Sequence, residues 1–285
     1  MSNQVIKQIT DELKNKLDSL VINEDELKEY YKFTSRFYRD RSFRNTILIY
    51  MTKPNSEVVA TYNQWISDHN RIVVACIVCR SFKTKECKCD KRTAPTRINQ
   101  LMPIIAKAKT EDEEDKIFFR AYNVFDIEDT EPLNEKGLAV HNPNRPKLLE
   151  GQEGQEIING VKTYLESIGW SFEESKITDG SNGYTVHGLK KVRIKMNNSK
   201  LQKAKTSVHE LAHVLLHANI DYFECRDLAE VQAESVAYIV CNYFGLNTDD
   251  YSLRYINGWA SDENTFLNSQ EEIFKASSEI IEVLK

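Results

Sequence analysis

The sequence predicts an α+β protein of two domains: a small mixed α/β domain, then a domain with a small sheet and long helices. Three observations predict this. The chain has 285 residues, more than one domain of ordinary size usually holds. Helix-like and strand-like segments occur in both halves, without an internal repeat. Finally, residues 131–154 collect Pro132, Pro143, Pro146, Gly137, Gly151 and Gly154, the densest group of chain breakers. The domains are therefore placed at 1–131 and 155–285, with a linker over 132–154.

The elements follow in order. Ile6, Ile9, Leu13, Leu17 and Leu20 recur at helical spacing and form one apolar stripe. Asn23 before Glu24-Asp25-Glu26 is an N-cap with acids in the first turn, opening a helix to about Tyr38. Ser42 can cap a short helix over Asn45–Met51, closed before Pro54. Thr61 can cap another over Tyr62–His69. Arg71–Cys79, rich in Val, Ile and Cys, is expected as a strand, and so is Ile117–Phe125. Between them, Ser81–Lys116 carries two prolines and the acidic run Glu111–Asp115, and is expected as an insertion with a short helix near Gln100–Ala108.

Beyond the linker, Glu156–Ile168 is an amphipathic helix stopped by Gly169. Trp170–Glu173, Tyr184–His187 and Val192–Met196 are expected as strands. Ser199–Ala218 and Asp227–Phe244 are expected as long helices, the latter ended by Gly245. Leu253–Trp259 and Ile273–Leu284 close the chain as helices.

Composition bounds the function. Hydrophobic residues make up 41% and charged residues 28%, a globular balance. No apolar run approaches the ~20 residues of a membrane helix. Met1–Leu20 is polar, which argues against a secretory leader. Cytoplasmic residence is the expectation, and six cysteines there are expected as thiols or metal ligands rather than disulfides. The net charge of −5 hides a local contrast: residues 32–97 hold 14 basic and 5 acidic residues. One basic surface can bind a polyanion while the rest of the molecule is acidic.

The sharpest chemical signal is His209-Glu210-Leu211-Ala212-His213. On a helix, residues four apart lie on one face about 6 Å apart along the axis, so both imidazoles can converge on one Zn²⁺ ion. Glu210, about 100° around the helix, can reach a water on that ion and take its proton as general base. The flanking Val208, Val214, Leu215 and Leu216 suit a buried helix. The competing reading is two structural histidines in a buried helix.

Zinc needs a third protein ligand and an open position for catalysis. His217 would lie about 12 Å from His209 along an unbroken helix, too far to share the ion, and is expected to support or pack against the site. Glu230 and Glu234 lie one turn apart on the next helix, among Ala229, Val231, Ala233, Val236 and Ala237. Buried carboxylates need partners. Glu230 is the expected third ligand, with Asp227 and Glu224 as alternatives. Glu234 is expected to accept the spare N–H of a ligating histidine. Val192–Met196 is where an edge strand could pair with an extended peptide.

The stretch His209–His217 followed by Glu230-x-x-Ala-Glu234-x-x-Ala237 resembles the zincin-like peptidases of the ImmA/IrrE group. Ser42–Ile49, Val59–Trp65 and Val124–Thr130 resemble the N-terminal domain of the ArdC antirestriction family, and Tyr255–Trp259 its C-terminus. The resemblance covers residues 30 to 285 or so. It implies a single-stranded-DNA-binding domain joined to a zincin-like metallopeptidase domain, in proteins of mobile elements held to shield incoming DNA from restriction. The chain departs from that family at Asn70–Cys79, where the family has a basic, glycine-bearing turn.

The residues themselves admit DNA binding. Tyr30–Arg44 interleaves cations and aromatics, with Tyr62 and Trp65 beyond. Cations neutralise phosphates, and exposed rings stack on bases at about 1–3 kcal/mol each. Alternatively the rings are core. Arg41, Arg44 and Arg71 are the named phosphate contacts. A second zinc site at Cys76, Cys79, Cys87 and Cys89 is not expected, because strand positions three apart face opposite ways and the one-residue spacing of Cys87 and Cys89 is poor for a zinc knuckle. The overall expectation is an antirestriction-type protein with a zinc metallopeptidase module. The alternative is a regulatory protease cleaving a repressor or host protein, its basic domain recognising that substrate.

Overall fold

The computed structural model describes residues 3–37, 41–106, 116–140, 153–218, 222–246 and 263–285. The chain forms two compact units: Met1–Lys16 with Arg44–Pro143, and Leu17–Phe43 with Asn144–Lys285. Among the described residues no helix is long and apolar enough to cross a membrane.

The first helix, α1 (Asn3–Ile22), runs from one unit into the other and buries Ile9, Leu13, Leu17 and Leu20, the predicted stripe. Asn23 caps α2 (Glu24–Thr34) by accepting the Glu26 N–H. Thus α2 stops short of Tyr38. It belongs with the C-terminal half, whereas the sequence placed all of 1–131 in one domain. The cause is its apolar face: Leu27, Tyr30, Tyr31 and Phe33 are buried, and the Tyr31 hydroxyl donates to Gln270 Oε1 at 2.8 Å. A helix face carries no local mark of which core will cover it.

In the first unit, α3 (Phe43–Thr52) leads to β1 (Val59–Ala60) and α4 (Tyr62–Ser67). Thr61 and Gln64 form a capping box at the start of α4. Two strands follow far apart in sequence, β2 (Arg71–Val73) and β5 (Thr130–Pro132), paired antiparallel with Ile72 opposite Glu131. Between them β3 (Ile98–Ala106) and β4 (Lys116–Asp126) form a long antiparallel ribbon, with β1 on the other side of β4. The predicted helix near Gln100 is therefore strand. Its partner lies across the acidic run 111–115, itself outside the described residues, and cross-strand pairing leaves no local signature. Part of the predicted linker is structured: β5 extends to Pro132, and a short helix α5 (Glu135–Leu138) follows.

Trp65 corrects a predicted base-stacking residue. Its ring is fully buried with Ala60 and Val73, and its indole N–H donates to the Phe125 carbonyl at 2.9 Å. Tyr30, Tyr31, Phe33, Phe37 and Phe43 are buried as well, so these rings are core. Tyr62 is 45% exposed and keeps a face toward solvent. Trp65→Ala should therefore cost about 3–5 kcal/mol, as large-to-small changes in packed cores do. Tyr62→Ala should stay within about 0.5 kcal/mol of the parent. Urea midpoints of the two variants check the contrast.

The second unit contains α6 (Glu153–Ser167), closed by Gly169 at φ +79°. The strands β6 (Ser171–Ser175), β7 (Gly183–Val186) and β8 (Lys191–Lys195) form a sheet in the order β6-β8-β7. β8 pairs parallel with β6 and antiparallel with β7. The strand predicted to be an edge, Val192–Met196, is thus central. Its neighbours β6 and β7 are the edges, and β7 is the one beside the helix Lys200–Leu216. Three helices complete the unit: α7 (Lys200–Leu216), α8 (Tyr222–Tyr243) with a kink at Cys225, and α9 (Glu263–Leu284). The expected helix over Leu253–Trp259 lies outside the described residues.

Candidate metal centre

The site is built on α7, α8 and β7. Ser199 caps α7 by accepting the Gln202 N–H, and the helix runs unbroken to Leu216. Its one-turn spacing brings the Nε2 atoms of His209 and His213 to 3.1 Å from each other. From α8, Glu230 places Oε2 at 3.4 Å from His209 Nε2 and Oε1 at 3.9 Å from His213 Nε2. All three donors lie within 4.8 Å of one another. Two imidazoles and one carboxylate at this separation suit a divalent cation with ligand bonds near 2 Å. Of the alternative ligands, Asp227 is exposed, and the side chain of Glu224 lies outside the described residues.

The Nδ1 atoms face away from this point and are anchored. His209 Nδ1 lies 3.2 Å from Glu234 Oε2, and the same carboxylate is paired with Lys205. His213 Nδ1 lies 2.8 Å from His217 Nδ1, and His217 Nε2 lies 2.9 Å from Gln232 Oε1. Gln232 Nε2 in turn donates to Glu272 Oε2 at 2.7 Å. One proton arrangement satisfies the whole chain. His213 Nδ1–H donates to His217, His217 Nε2–H donates to the Gln232 carbonyl, and the Gln232 amide donates to Glu272. His213 Nε2 is then left as a lone pair. Burial, reinforced by a protonated His209, pushes His213 down to about 3, so its imidazole is neutral at neutral pH. Burial also pulls at His209, but the Glu230 and Glu234 carboxylates outweigh it and hold that ring up at about 9.

Glu210 is 5% exposed, and burial raises its carboxyl above the ordinary range. Its Oε2 accepts from the Thr185 hydroxyl at 2.8 Å. This contact fixes the carboxylate against the edge strand. Gly183 makes the approach possible. A Cβ there would sit 2.6 Å from Thr206 Cγ2 and 3.1 Å from Glu210 Oε1. The sequence pointed to no role for Thr185, Gly183, Gln232 or Glu272. Each acts across elements that only the tertiary fold brings together.

These groups open onto a cavity of about 880 Å³, lined on one side by β7 from Gly183 to Val186 and on the other by His209, Glu210 and Glu230. That size accommodates a ligand. Residues 170–280 match the model of the IrrE N-terminal-like domain, Peptidase_M78. That match spans well under half of the chain. The helices α7 and α8 and the strand β7 fall inside it.

Other comparisons describe likeness only. The chain is 25% identical over 176 residues to the uncharacterized Bacillus anthracis protein pXO2-81, an alignment covering 55% of this chain and 29% of that one. The chain thus spans less than a third of that relative's length. Two crystal structures of the antirestriction ArdC protein from plasmid R388 align with it at TM-score 0.47 each. The metal-free one is 17% identical, covering 86% of this chain and 82% of that one. The Mn(II)-bound one is 15% identical, covering 90% and 95%.

Outside the matched span 170–280, the predicted phosphate contacts fare differently. Arg71 is committed to the fold: its guanidinium donates to Thr130 Oγ1 at 2.6 Å and to the Gly137 carbonyl at 2.7 Å. It is a strut joining β2 to β5 and α5, not a free cation. Arg41 and Arg44 are half-buried. The four cysteines overturn the strand expectation. β2 ends at Val73, residues 77–79 form a turn, and the sulfurs of Cys76, Cys79, Cys87 and Cys89 all lie within 4.8 Å of one another. The run Val73-Val74-Ala75-Cys76-Ile77-Val78 has strand composition throughout, so nothing local marked where pairing stops.

Proposed function

We propose that the chain is an antirestriction-type protein of a mobile element. In this reading it binds single-stranded DNA through its first unit and carries a zinc-dependent metallopeptidase centre within the matched span 170–280. The observation that carries the reading is the convergence of His209 Nε2, His213 Nε2 and Glu230 beside the Glu210 carboxylate, on a cavity edged by a strand. Two imidazoles and a carboxylate favour zinc among common divalent ions. Zinc bound there supplies a Lewis acid that polarises a peptide carbonyl and acidifies water.

The chain's own residues supply the rest. Glu210 accepts the proton of the attacking water and returns it to the leaving amine. Thr185 holds the carboxylate in place for both transfers. The free edge of β7 offers backbone N–H and C=O groups to an extended peptide, as sheet edges do. Glu234 and His217 orient the ligating rings.

DNA binding is supported by charge and by the motif resemblance. The excess of cations in residues 32–97 includes Lys85, Lys88 and Lys91, which are exposed, and Tyr62 keeps an exposed ring nearby in sequence. Fluorescence titration with a labelled single-stranded oligonucleotide tests it. Affinity should fall linearly on a log–log plot against salt, with a slope of about −0.7 per phosphate neutralised. Absent or salt-independent binding would remove this half of the reading.

The strand edge beside the site also favours a second reading, a regulatory protease acting on a repressor or host protein. Glu210→Gln separates the two in cells carrying a restriction system. Protection of incoming DNA that survives the substitution supports the first, and protection lost with it supports the second.

A further inference from the structure

The four cysteines of the first unit have no part in the histidine centre. Cys76 Sγ lies 3.9 Å from Cys89 Sγ, and Cys79 Sγ lies 3.6 Å from Cys87 Sγ. All four are free thiols. A zinc ion with four thiolates at about 2.3 Å in tetrahedral array sets its sulfurs about 3.8 Å apart. The observed separations match that spacing.

The backbone around the sulfurs is arranged to the same end. Cys76 precedes and Cys79 closes a turn over residues 77–79, held by the Ala75 N–H donating to the Ser81 carbonyl at 2.7 Å and the Ile77 N–H donating to the Thr93 carbonyl at 2.9 Å. Cys79 Sγ donates to Ser81 Oγ at 3.4 Å. Such contacts fix where the sulfurs point. Cys87 leaves its turn in an extended conformation, φ −69° and ψ 123°. Residues two apart on extended chain face the same side, so the one-residue spacing of Cys87 and Cys89 aims both at the first pair. Arg80 closes the turn at φ +57°, a conformation unusual for a residue with a Cβ. It is held there by donation to the Glu128 carbonyl at 2.8 Å and the Thr130 carbonyl at 2.6 Å.

Hydrogen bonds such as Ile77 N–H to the Thr93 carbonyl hold parts of the segment, but it has almost no apolar core of its own. From Ala75 to Arg97, Cys76 is the one buried residue, while Val78 and Phe82 are 65% and 47% exposed. Fixing a residue's backbone costs about 1–2 kcal/mol, which apolar burial offsets in an ordinary core and cannot offset here. Small elements without a core rely on staples such as a structural metal. Charge agrees: a zinc tetrathiolate is a dianion, and residues 80–97 hold seven Lys and Arg against Glu86 and Asp90.

We propose that Cys76, Cys79, Cys87 and Cys89 bind one zinc ion as a structural tetrathiolate centre. It pins the β2–β3 connection and is independent of the histidine site. All four positions are filled by protein, so the ion has no open position and no catalytic role.

Metal counting and cobalt substitution on the full chain test this. Protein purified with zinc should hold about two zinc ions per chain, one for each centre. A His209→Ala, His213→Ala double variant should keep about one, and its cobalt form should show intense near-ultraviolet thiolate-to-cobalt charge transfer. A Cys87→Ser, Cys89→Ser variant should keep about one and lose that band. If the cysteine variant fails to fold, the histidine double variant still decides the matter. A metal-free histidine variant, a cobalt spectrum without charge transfer, or paired disulfides under reducing purification would each overturn the proposal. Unsubstituted protein that carries the thiolate ion but no ion at the histidines would instead count against the peptidase reading alone.

Discussion

His213→Ala is expected to empty the histidine centre. The substitution removes one of the three groups proposed as ligands and also breaks the line of hydrogen bonds that begins at His213 Nδ1. Competition against a zinc-chelating dye should show affinity at this centre weakened by well over ~100-fold, beyond what changes in ligand-orienting groups produce. Glu234→Gln provides the calibration. Glu234 does not face the metal point. It holds His209 Nδ1 at 3.2 Å and is itself paired with Lys205. Burial alone would raise its carboxyl, but His209 and Lys205 outweigh burial and keep it lowered and ionised. A glutamine retains an acceptor but not the charge, so the expected loss is about 10–100-fold. Equal losses in the two variants would mean that His213 orients rather than ligates, and the three-ligand reading would fail.

The features legible in the sequence share a physical basis: they are local. The spacing of His209 and His213 places two rings on one helical face whatever surrounds the helix. Asn23, Thr61 and Ser199 cap helices because their side chains reach N–H groups a few residues away. The domain match over residues 170–280 and the mixed α+β architecture agree with what these local patterns implied.

What escaped reading is non-local. No pattern in Glu24–Thr34 says that its aromatic face will be covered by residues some 200 positions later, such as Ser235. The order of β7 and β8 in the sheet depends on pairing, since either strand could have formed the edge. Thr185 and Gln232 look like ordinary polar residues until the fold sets them against Glu210 and His217. The cysteines show the cost of trusting propensity. Six residues of strand-like composition concealed a turn, and the turn brings the C-x-x-C pair beside Cys87 and Cys89.

Glu210→Gln is expected to lower hydrolysis of an unstructured peptide mixture by about 10²–10⁴-fold while leaving metal content unchanged. The two halves of that expectation have separate causes. Glu210 lies beside the three donors but is not among them, so an amide there leaves the ligand set intact. The amide cannot accept the proton, and it still fills the space between Thr185 and α7. Thr185→Val isolates the positioning contribution. The Thr185 hydroxyl lies 2.8 Å from Glu210 Oε2 and 3.1 Å from the Glu210 carbonyl, so both its contacts are to Glu210 rather than to a proposed ligand. Losing it frees the carboxylate to swing but leaves a base in place, so a smaller fall, of about 10-fold, is expected, equivalent to about 1.4 kcal/mol in the barrier. The order Glu210→Gln below Thr185→Val below parent, at constant metal content, is the result a proton-transferring carboxylate requires. If Glu210→Gln were to retain parental turnover, a group other than Glu210 would have to move the proton. Among the described groups lining the cavity, His187 is a titratable candidate outside the ligand set. Burial holds it below its ordinary range, so it would arrive as a neutral ring able to take the proton. A Glu210→Gln, His187→Ala double variant then tells the two apart, because only a substitute base would make the second change matter.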